Sequence, residues 1–510
     1  MPQQPKVWVY TRAYNAEATI CRTVESVLNQ TYQNIGYMIR DNGSTDRTLE
    51  ICRSFATRDN RVLLTRNSIN NVETDMEEDQ SAFALDLSLT NKKGDSPEFG
   101  DFKYFCILDA DDEYLPDFLE KAVAFAEKET LDIVACGTEM LDGESGKRLG
   151  DVSHPDPILL EDARSFSDRF PEYHWHMRQV WGKLYRRGLL DGFLDRYRTL
   201  SRREFGGENV SMPYGSDTLY ALYAFSQAKR AGILSGRDHR YYVQKHSVST
   251  QFLPFRVESD RILHDVTEQY LQGKCGAVNA ENRIFLSAVY ANAVKDTLNV
   301  LHTAALSGEE KLHEYCRIAE SEATKVNFAF PVRQTLQSRD QLLAAAISCH
   351  DAKNAPDELP AILAALTPRC APAFPPERIP LLAAKPALAE ALFRDDAEAV
   401  LAILLDMLRK NEQSKKYDLP AMVRALSADK PLLRDINDKL FLRRYGNIYL
   451  AVWRGQYNEA LDNMTGLLLN GAKVDEIFLQ LYLNLAALQN QPDAFVFGKI
   501  RLAQLYLREG

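Results

Sequence analysis

The sequence lacks the features that mark disulfide-bonded, membrane-spanning and secreted proteins. None of its eight cysteines forms a CxxC pair, so we expect reduced thiols rather than a disulfide framework or a zinc site. The longest apolar run, residues 399–408, contains Asp406 and is far shorter than the ~18 residues of a membrane span. The N-terminus shows no signal-peptide pattern. We therefore expect a cytoplasmic protein, at most peripheral at the inner face of a membrane.

The chain also lacks an excess of basic residues. Its 61 lysines and arginines are outnumbered by 71 aspartates and glutamates, which gives a formal net charge of −10. Proteins that bind nucleic acids generally need the opposite balance, so we expect no nucleic-acid partner. With 510 residues, of which 45% are hydrophobic, the chain is long enough for two or three folded domains.

Strand-like and helix-like patterns alternate from the N-terminus to about residue 255. Short apolar runs, such as residues 6–10 and 104–108, are separated by segments with helical spacing. This alternation predicts an α/β domain with a mostly parallel sheet over residues 1–255. Ligands of such sheets bind beyond the carboxyl ends of the strands. Two acidic clusters, at 41–46 and 109–112, directly follow predicted strands.

The rest of the chain follows other patterns. An acidic, turn-rich stretch at about 66–103 indicates an insertion, either a loop over the site or a solvated connection. Strand patterns then end, and we predict a helical connecting region over 256–355. Residues 356–510 predict helical hairpins that resemble tetratricopeptide repeats, because similar segments recur near the period of those repeats. A generic helical bundle is the alternative. Such helices suit contacts with a protein partner or with a second copy of the chain.

The most informative short feature is Asp109-Ala110-Asp111, which follows an apolar strand. Two carboxylates one residue apart on a turn can hold one hard cation. Mg²⁺ or Mn²⁺ takes one or two carboxylates together with substrate phosphates. Taken alone, such a pair is more often a solvated turn than a metal site.

Four segments occur in register around this pair: residues 11–15 (TRAYN), 25–32 (ESVLNQTY), 39–46 (IRDNGSTD) and 105–112 (FCILDADD). Together they resemble the nucleotide-binding half of a family 2 glycosyltransferase of the GT-A fold. The resemblance covers about residues 5–250. It implies a metal-dependent transfer of a sugar from a nucleotide-sugar donor, with a UDP-sugar favoured, to a hydroxyl acceptor.

The resemblance also implies residue roles. Asp217 matches the catalytic base at the start of a helix, although Ser216 replaces the glutamate usual before it; the alternative is a first-turn acid favoured by the helix dipole. Metal ligands would be Asp109, Asp111 and His246, holding Mn²⁺ or Mg²⁺. The donor site would contain Thr11, Tyr14, Asn15, Glu17, Asp41, Asn42, Asp109, Ala110 and Lys183. Acceptor contacts would be Trp175, Trp181 and Asp112.

Several functions stay open at this stage. The acceptor is a glycan of a surface polysaccharide or lipopolysaccharide, a lipid-linked glycan, or a protein or peptide. A base that accepts the acceptor's proton during direct attack implies inversion at the anomeric carbon. A nucleotidyltransferase is disfavoured, because residues 11–15 lack the Gly-rich loop of that class. A non-catalytic nucleotide-binding scaffold is the remaining alternative.

Overall fold

The computed structural model describes residues 4–66, 101–205, 214–244, 251–253, 255–330, 333–349, 386–394, 456–469 and 476–509, with a few short stretches between 396 and 474. His246 and residues 67–100 of the predicted insertion lie outside the described residues. The chain divides into two compact units, Met1–Leu286 and Ser287–Gly510.

The described residues of the first unit form twelve strands. They are β1 Val7–Ala13, β2 Ile35–Asp41, β3 Val62–Arg66, β4 Tyr104–Ile107, β5 Glu113–Tyr114, β6 Ile133–Ala135, β7 Thr138–Asp142, β8 Arg148–Val152, β9 Ile158–Leu160, β10 Lys183–Arg186, β11 Ala231–Ile233 and β12 His239–Val243. Eight of them form one sheet in the order β3-β2-β1-β4-β10-β6-β11-β9. Strands β3, β2, β1 and β4 are parallel, whereas β10 runs antiparallel to β4 and β6. The predicted α/β fold is confirmed, with a mixed sheet.

A second, four-stranded sheet has the order β5-β12-β7-β8. Its strand β12 pairs with β5, which begins directly after the acidic turn of residues 109–112. The pairing aligns His239 with Tyr114, so side chains of β12 lie beside that turn. The second sheet therefore supplies one wall of the region where β4 ends.

Helices of the first unit cover the main sheet. They are α1 Ile20–Leu28, α2 Thr48–Arg58, α3 Phe118–Glu129, α4 Ala163–Asp168, α5 Phe170–Tyr173, α6 Phe193–Phe205, α7 Ser216–Gln227, α8 Arg256–Cys275 and the start of α9 Ala280–Thr303. In α1, Ile20, Val24 and Val27 repeat at helical spacing and are completely buried. Their burial fixes the helix on the sheet and leaves its polar face for neighbouring loops.

The first unit extends past residue 255, where the sequence predicts that the α/β domain ends. Helix α8 contacts both α7 and α4, and its Tyr270 and Leu271 are buried in the same apolar cluster as the sheet residues. Since this helix completes the core, the compact unit continues to Leu286.

Every element that the structure describes in the second unit is a helix. These are the remainder of α9, α10 Gly308–Glu320, α11 Glu322–Asn327, α12 Arg333–Cys349, α13 Pro386–Phe393, α14 Tyr457–Leu469, α15 Glu476–Leu488 and α16 Pro492–Glu509. Helix α15 contacts both α14 and α16. Arg454 forms a buried ion pair with Asp340 of α12. The helical character is confirmed, and the tetratricopeptide likeness stays a prediction.

Among the described residues, no helix is both long enough and apolar enough to cross a bilayer.

Candidate functional site

The site is a cluster of carboxylates gathered by two elements of the first unit. Asp109 and Asp111 lie just after β4, and Asp217 is the second residue of α7. The pKa of Asp109 is raised well above the usual range, first by burial and then by the negative charges of Asp112, Asp217 and Asp111. The guanidinium of Arg12 opposes this shift. The folded chain therefore places Asp217 within electrostatic reach of Asp109, whose neighbour in the turn is Asp111.

The exposure of these carboxylates and their desolvation together indicate that they lie in a cleft. Asp109 and Asp111 are partly exposed and Asp217 is exposed, yet protein atoms surround all three groups and raise their pKa values by desolvation. Such a combination is typical of groups on the floor and walls of a cleft. The positive charges of Arg12 and Lys183 lower the pKa of Asp217, but burial outweighs them.

Asp112 differs from its neighbours in the acidic turn. Its side chain is completely buried, and its Oδ1 accepts a hydrogen bond of 3.0 Å from the backbone N–H of Tyr242. Its Oδ2 lies 3.4 Å from Nε2 of His239. The carboxylate of Asp112 faces β12 and not the cleft, so it joins the acidic turn to the second sheet. This position does not match the acceptor contact that was predicted for Asp112.

Helix α1 fixes the backbone of the acidic turn. The side chains of Thr19, Arg22 and Thr23 donate hydrogen bonds to the carbonyl oxygens of residues 110, 111 and 112, over 2.9, 2.7 and 2.9 Å respectively. Three donors on one helix face thus hold three consecutive carbonyls. Nothing in the motif itself indicates this support, which leaves the carboxylates of the turn in place before any ligand binds.

Gln30, at the end of the ESVLNQTY segment, supports the turn from its other side. Its buried amide donates to the carbonyl of Leu115 over 2.7 Å and accepts from the N–H of Leu119 over 3.0 Å. These bonds join the end of α1 to the start of α3. This segment of the motif therefore has a structural role.

Replacing Gln30 by leucine should lower the free energy of unfolding by about 2 kcal/mol, because it leaves the buried N–H of Leu119 without its acceptor and removes one of the donors to the carbonyl of Leu115. Urea denaturation followed by circular dichroism measures the change. Gln272→Leu, at an exposed position of α8, is the control. Equal stability of the two variants would show that the Gln30 bonds are dispensable.

Two predicted donor contacts brace the loops after β1 and β2. Oδ1 of Asn15 accepts from the N–H of Thr45 over 2.9 Å, and the carboxylate of Glu17 accepts from the N–H of Arg47 over 2.9 Å. Both side chains thus bind the backbone of the neighbouring loop. Tyr14 directly precedes Asn15 in the chain with 46% of its surface exposed, and it remains available to a ligand.

Asp41 and Asn42 lie where β2 ends. Asp41 is completely buried; its carboxylate accepts from the N–H of Ser44 over 3.3 Å and lies 3.4 Å from Nε of Arg66. The N–H of Asn42 donates to the carbonyl of Ala13 over 2.9 Å. The carboxylate of Asp41 therefore holds the turn that follows β2, and it does so from a position at the strand end.

Thr11 and Lys183 are not at the surface of the cleft, although the resemblance implies donor contacts for both. The buried hydroxyl of Thr11 accepts from the hydroxyl of Tyr37 over 3.1 Å inside the sheet. Lys183 is 1% exposed, and its ammonium donates to the carbonyls of Gln179 and Trp181 over 2.6 and 2.9 Å. Lys183 therefore acts on the cleft only through its charge.

An aromatic wall stands beside the carboxylates. The ring of Trp181 stacks on His239 at 4.5 Å and on Tyr241 at 5.2 Å between ring centroids. Trp181 is itself buried, so it supports the wall, whereas Trp175, 5.8 Å from it, is partly exposed. Burial and the nearby aspartates raise the pKa of Tyr241 to about 12, which keeps its hydroxyl protonated. Sequence reasoning missed Tyr241 as a site residue.

The carboxylates of Asp109 and Asp111 provide two oxygen ligands that suit a divalent cation in the cleft. Among the described residues, no three histidine, cysteine or acidic side chains could hold a metal ion together. The Nε2 atoms of His154 and His176 lie 3.2 Å apart. In the described part of the chain, no third histidine, cysteine or acidic side chain joins them to form a metal site. Asp109 and Asp111 nevertheless fit Mg²⁺ or Mn²⁺, because these ions need only one or two carboxylates when substrate phosphates complete the shell. Burial raises the pKa of both carboxylates, and neighbouring negative charges add to the shift at Asp109, so a bound cation would stabilise their ionised forms.

Comparisons with known proteins point to one family. The sequence model described as "Glycosyl transferase family 2" matches residues 8–73 and 93–193. EpsE of Bacillus subtilis (strain 168), which carries a glycosyltransferase name, is 32% identical over 170 residues, or 32% of this chain and 55% of that protein. The "UDP-Glc:alpha-D-GlcNAc-diphosphoundecaprenol beta-1,3-glucosyltransferase WfaP" of Escherichia coli is 32% identical over 123 residues, or 24% of this chain and 42% of that protein.

Among solved structures, S. aureus TarS 1–349 in complex with UDP-GlcNAc is similar with a TM-score of 0.43 and 15% identity, over 81% of this chain and 94% of that one. The chain spans 55%, 35% and 42% of the length of three curated relatives that it matches.

Proposed function

We propose that the chain is a member of glycosyl transferase family 2, whose model matches residues 8–73 and 93–193, and that it moves a sugar from a nucleotide donor to a hydroxyl acceptor with inversion. A UDP-sugar is the proposed donor. The proposed setting is assembly of a bacterial surface polysaccharide on the cytoplasmic side of the membrane. The names of the EpsE and WfaP relatives support this class of reaction.

The observation that carries the proposal is the meeting of Asp217 with Asp109 and Asp111 in one cleft. The charge of Asp217 raises the pKa of Asp109, so the two groups lie within electrostatic reach although they are 108 positions apart in the chain (217 − 109). A transferase needs such proximity, since the acceptor's proton must leave close to the anomeric carbon of the bound donor.

Each group then has a chemical role. Asp109 and Asp111 would hold Mn²⁺ or Mg²⁺, and a cation there supplies positive charge for the donor's diphosphate. Asp217 accepts the proton of the acceptor hydroxyl as that oxygen attacks the anomeric carbon. Direct attack from the side opposite the leaving nucleotide inverts this carbon. The aromatic wall at Tyr241 and Trp175 presents ring faces and a hydroxyl donor to a sugar.

The helical second unit supports partner binding in this proposal. Stacked helical hairpins build extended surfaces, which suit a protein acceptor, another protein or a second copy of the chain. A protein or peptide acceptor is therefore the main alternative for the substrate, and a nucleotide-binding scaffold without turnover is the alternative for the function.

Titration calorimetry of the full chain with UDP tests the proposal. Binding is expected with Mn²⁺ and is expected to weaken strongly when EDTA replaces the metal. A panel of nucleotide sugars, assayed for metal-dependent release of the nucleoside diphosphate, then identifies the donor. Absence of both binding and hydrolysis would contradict the transferase assignment; binding without hydrolysis or transfer would favour the scaffold.

The raised pKa of Asp217 predicts a pH profile. A base must be ionised, so kcat/KM should fall as the pH is lowered through this pKa, at a higher pH than for an ordinary solvated aspartate. Lys183→Met removes a charge that lowers the pKa of Asp217, so the acidic limb should move to higher pH. Lys229→Met, an exposed change of the same charge, should leave the limb in place. A limb that is unmoved or lower in Lys183→Met would contradict the electrostatic link.

A further inference from the structure

A cavity of about 330 Å³ lies between α6, α7 and α8 of the first unit. We call it the α6–α8 cavity. Its volume falls in the range of about 300–1,000 Å³ that small-molecule sites occupy. None of the aspartates of the cleft lines it. Helix α7 nevertheless lies beside both the cleft and the cavity, because Asp217 is in its first turn and later residues of the helix line the cavity.

The interior of the cavity is largely apolar. Phe193, Leu219, Leu222 and Tyr270 line it and are themselves at least nine-tenths buried. Gly273 of α8 also lines it, and a Cβ built on this glycine would meet no atom within 4 Å. Glycine inside a helix is less favourable than alanine, because it loses more conformational freedom on folding. Here it leaves open space that any larger side chain would occupy.

The mouth of the cavity is cationic. Helix α6 carries four arginines against two acids, and two of these arginines, Arg196 and Arg203, line the cavity. Arg203 pairs with Glu204 at 2.6 Å. Arg196 is exposed, and no hydrogen bond or ion pair of its guanidinium is found among the described residues. An apolar interior with an available guanidinium at its mouth complements a molecule with a hydrocarbon chain and an anionic head.

We propose that the α6–α8 cavity binds the hydrocarbon end of a lipid-linked acceptor, with Arg196 at the phosphate that joins the lipid to its sugar. The proposal rests on the proposed function and selects one of its acceptor classes. A lipid seated here contacts α7, the helix whose first turn carries the base. Its sugar then extends from the phosphate toward the cleft. Arg198 and Arg203 of α6 are paired with acids, and Lys274, which also lines the cavity, donates to the carbonyl of Ala228, so we assign the head to Arg196.

Calorimetric titration of the full chain with dodecyl phosphate, below its micelle concentration, tests the cavity. Inorganic phosphate alone, at the same concentrations, separates recognition of the head from recognition of the chain. Dodecyl phosphate is expected to bind at least about tenfold more tightly than inorganic phosphate, a difference of 1.4 kcal/mol. Equal affinities would overturn the proposal, since they would show that the apolar interior contributes nothing.

Two pairs of variants locate the binding. Gly273→Leu places a larger side chain at the wall of the cavity and should weaken dodecyl phosphate binding at least about tenfold, because this side chain and the hydrocarbon of the ligand would compete for the same space. Gly466→Leu, at a helical glycine of α14 that also has no atom within 4 Å of an added Cβ, should bind like wild type. Arg196→Glu should weaken binding at least about tenfold, whereas Arg198→Glu, whose arginine pairs with Asp195 at 3.9 Å, should change it less than about twofold.

A parallel UDP and Mn²⁺ titration of every variant separates the cavity from the transfer site. Unchanged dodecyl phosphate binding in Gly273→Leu, with UDP bound normally, would overturn the cavity and leave the transferase proposal standing. Dodecyl phosphate bound through Gly273 and Arg196 in a chain that binds no nucleotide would overturn the acceptor role. Loss of the lipid ligand alone in both variants is the expected result.

Discussion

Replacing Asp217 by asparagine is expected to leave UDP and Mn²⁺ binding near the wild-type affinity and to lower kcat by about three orders of magnitude. The amide keeps the size of the side chain but cannot accept the acceptor's proton. Asp217 lies in the first turn of α7 beside the cleft, and its negative charge raises the pKa of Asp109. Single-turnover measurements with saturating donor separate the chemical step from binding.

The alternative for Asp217 makes a different prediction. A first-turn acid that only stabilises the helix dipole contributes about 0.3–1 kcal/mol to stability and nothing to turnover. Glu309→Gln, in the first turn of α10, provides that comparison at a position away from the cleft. An Asp217→Asn variant with full activity and a small loss of stability, like Glu309→Gln, would remove Asp217 as the base.

Replacing Asp111 by asparagine should abolish transfer and weaken Mn²⁺-dependent UDP binding at least about 100-fold, since even residues outside the ligand shell change metal affinity about 10–100-fold. The variant should also unfold less readily in the absence of metal. Burial raises the pKa of Asp111 in the folded chain, so its ionised form destabilises the fold. This cost is absent below the unfolded pKa and complete above the folded pKa, so neutral asparagine stabilises the chain at neutral pH.

Asp117→Asn is the matched control for Asp111. Asp117 lies in the following loop, is about half exposed and pairs with Lys121 at 2.8 Å. Its replacement should change neither metal dependence nor transfer. Retention of Mn²⁺-dependent activity in Asp111→Asn would rule out this aspartate as a metal ligand. Increased stability together with lost activity is the result expected if the folded chain holds these carboxylates close together in order to bind a cation.

The positions of the carboxylates could be predicted from the sequence because the ends of the strands can be recognised there. Asp41 and Asp109 each follow a short apolar run, and parallel strands bring their carboxyl ends to one edge. Thr11 shows the limit of this reasoning. Side chains alternate along β1, but both faces of the strand are buried, so the pattern does not tell which face a polar residue joins. The side chain of Thr11 lies on the face of β1 that contacts Tyr37.

Contacts over long sequence distances could not be predicted. Thr19, Arg22 and Thr23 are visible in the sequence as the polar face of an amphipathic helix, for which solvent is the simplest partner. Their true partners lie 89 to 91 positions away. Lys183 illustrates the same limit, because a lysine in a strand is expected to be exposed. Only the turn formed by Gln179 and Trp181 provides the carbonyls that allow its burial.

The bracing of the loops after β1 and β2 has a consequence for how sequences related to this chain diverge. The side chains of Asn15 and Glu17 both bind the backbone of the loop after β2, so a substitution at either would loosen two loops at once and be selected against. Tyr14, which directly precedes Asn15, is exposed. Under the proposed function, new donor preferences would therefore arise by exchange at position 14, on a frame that Asn15 and Glu17 keep constant.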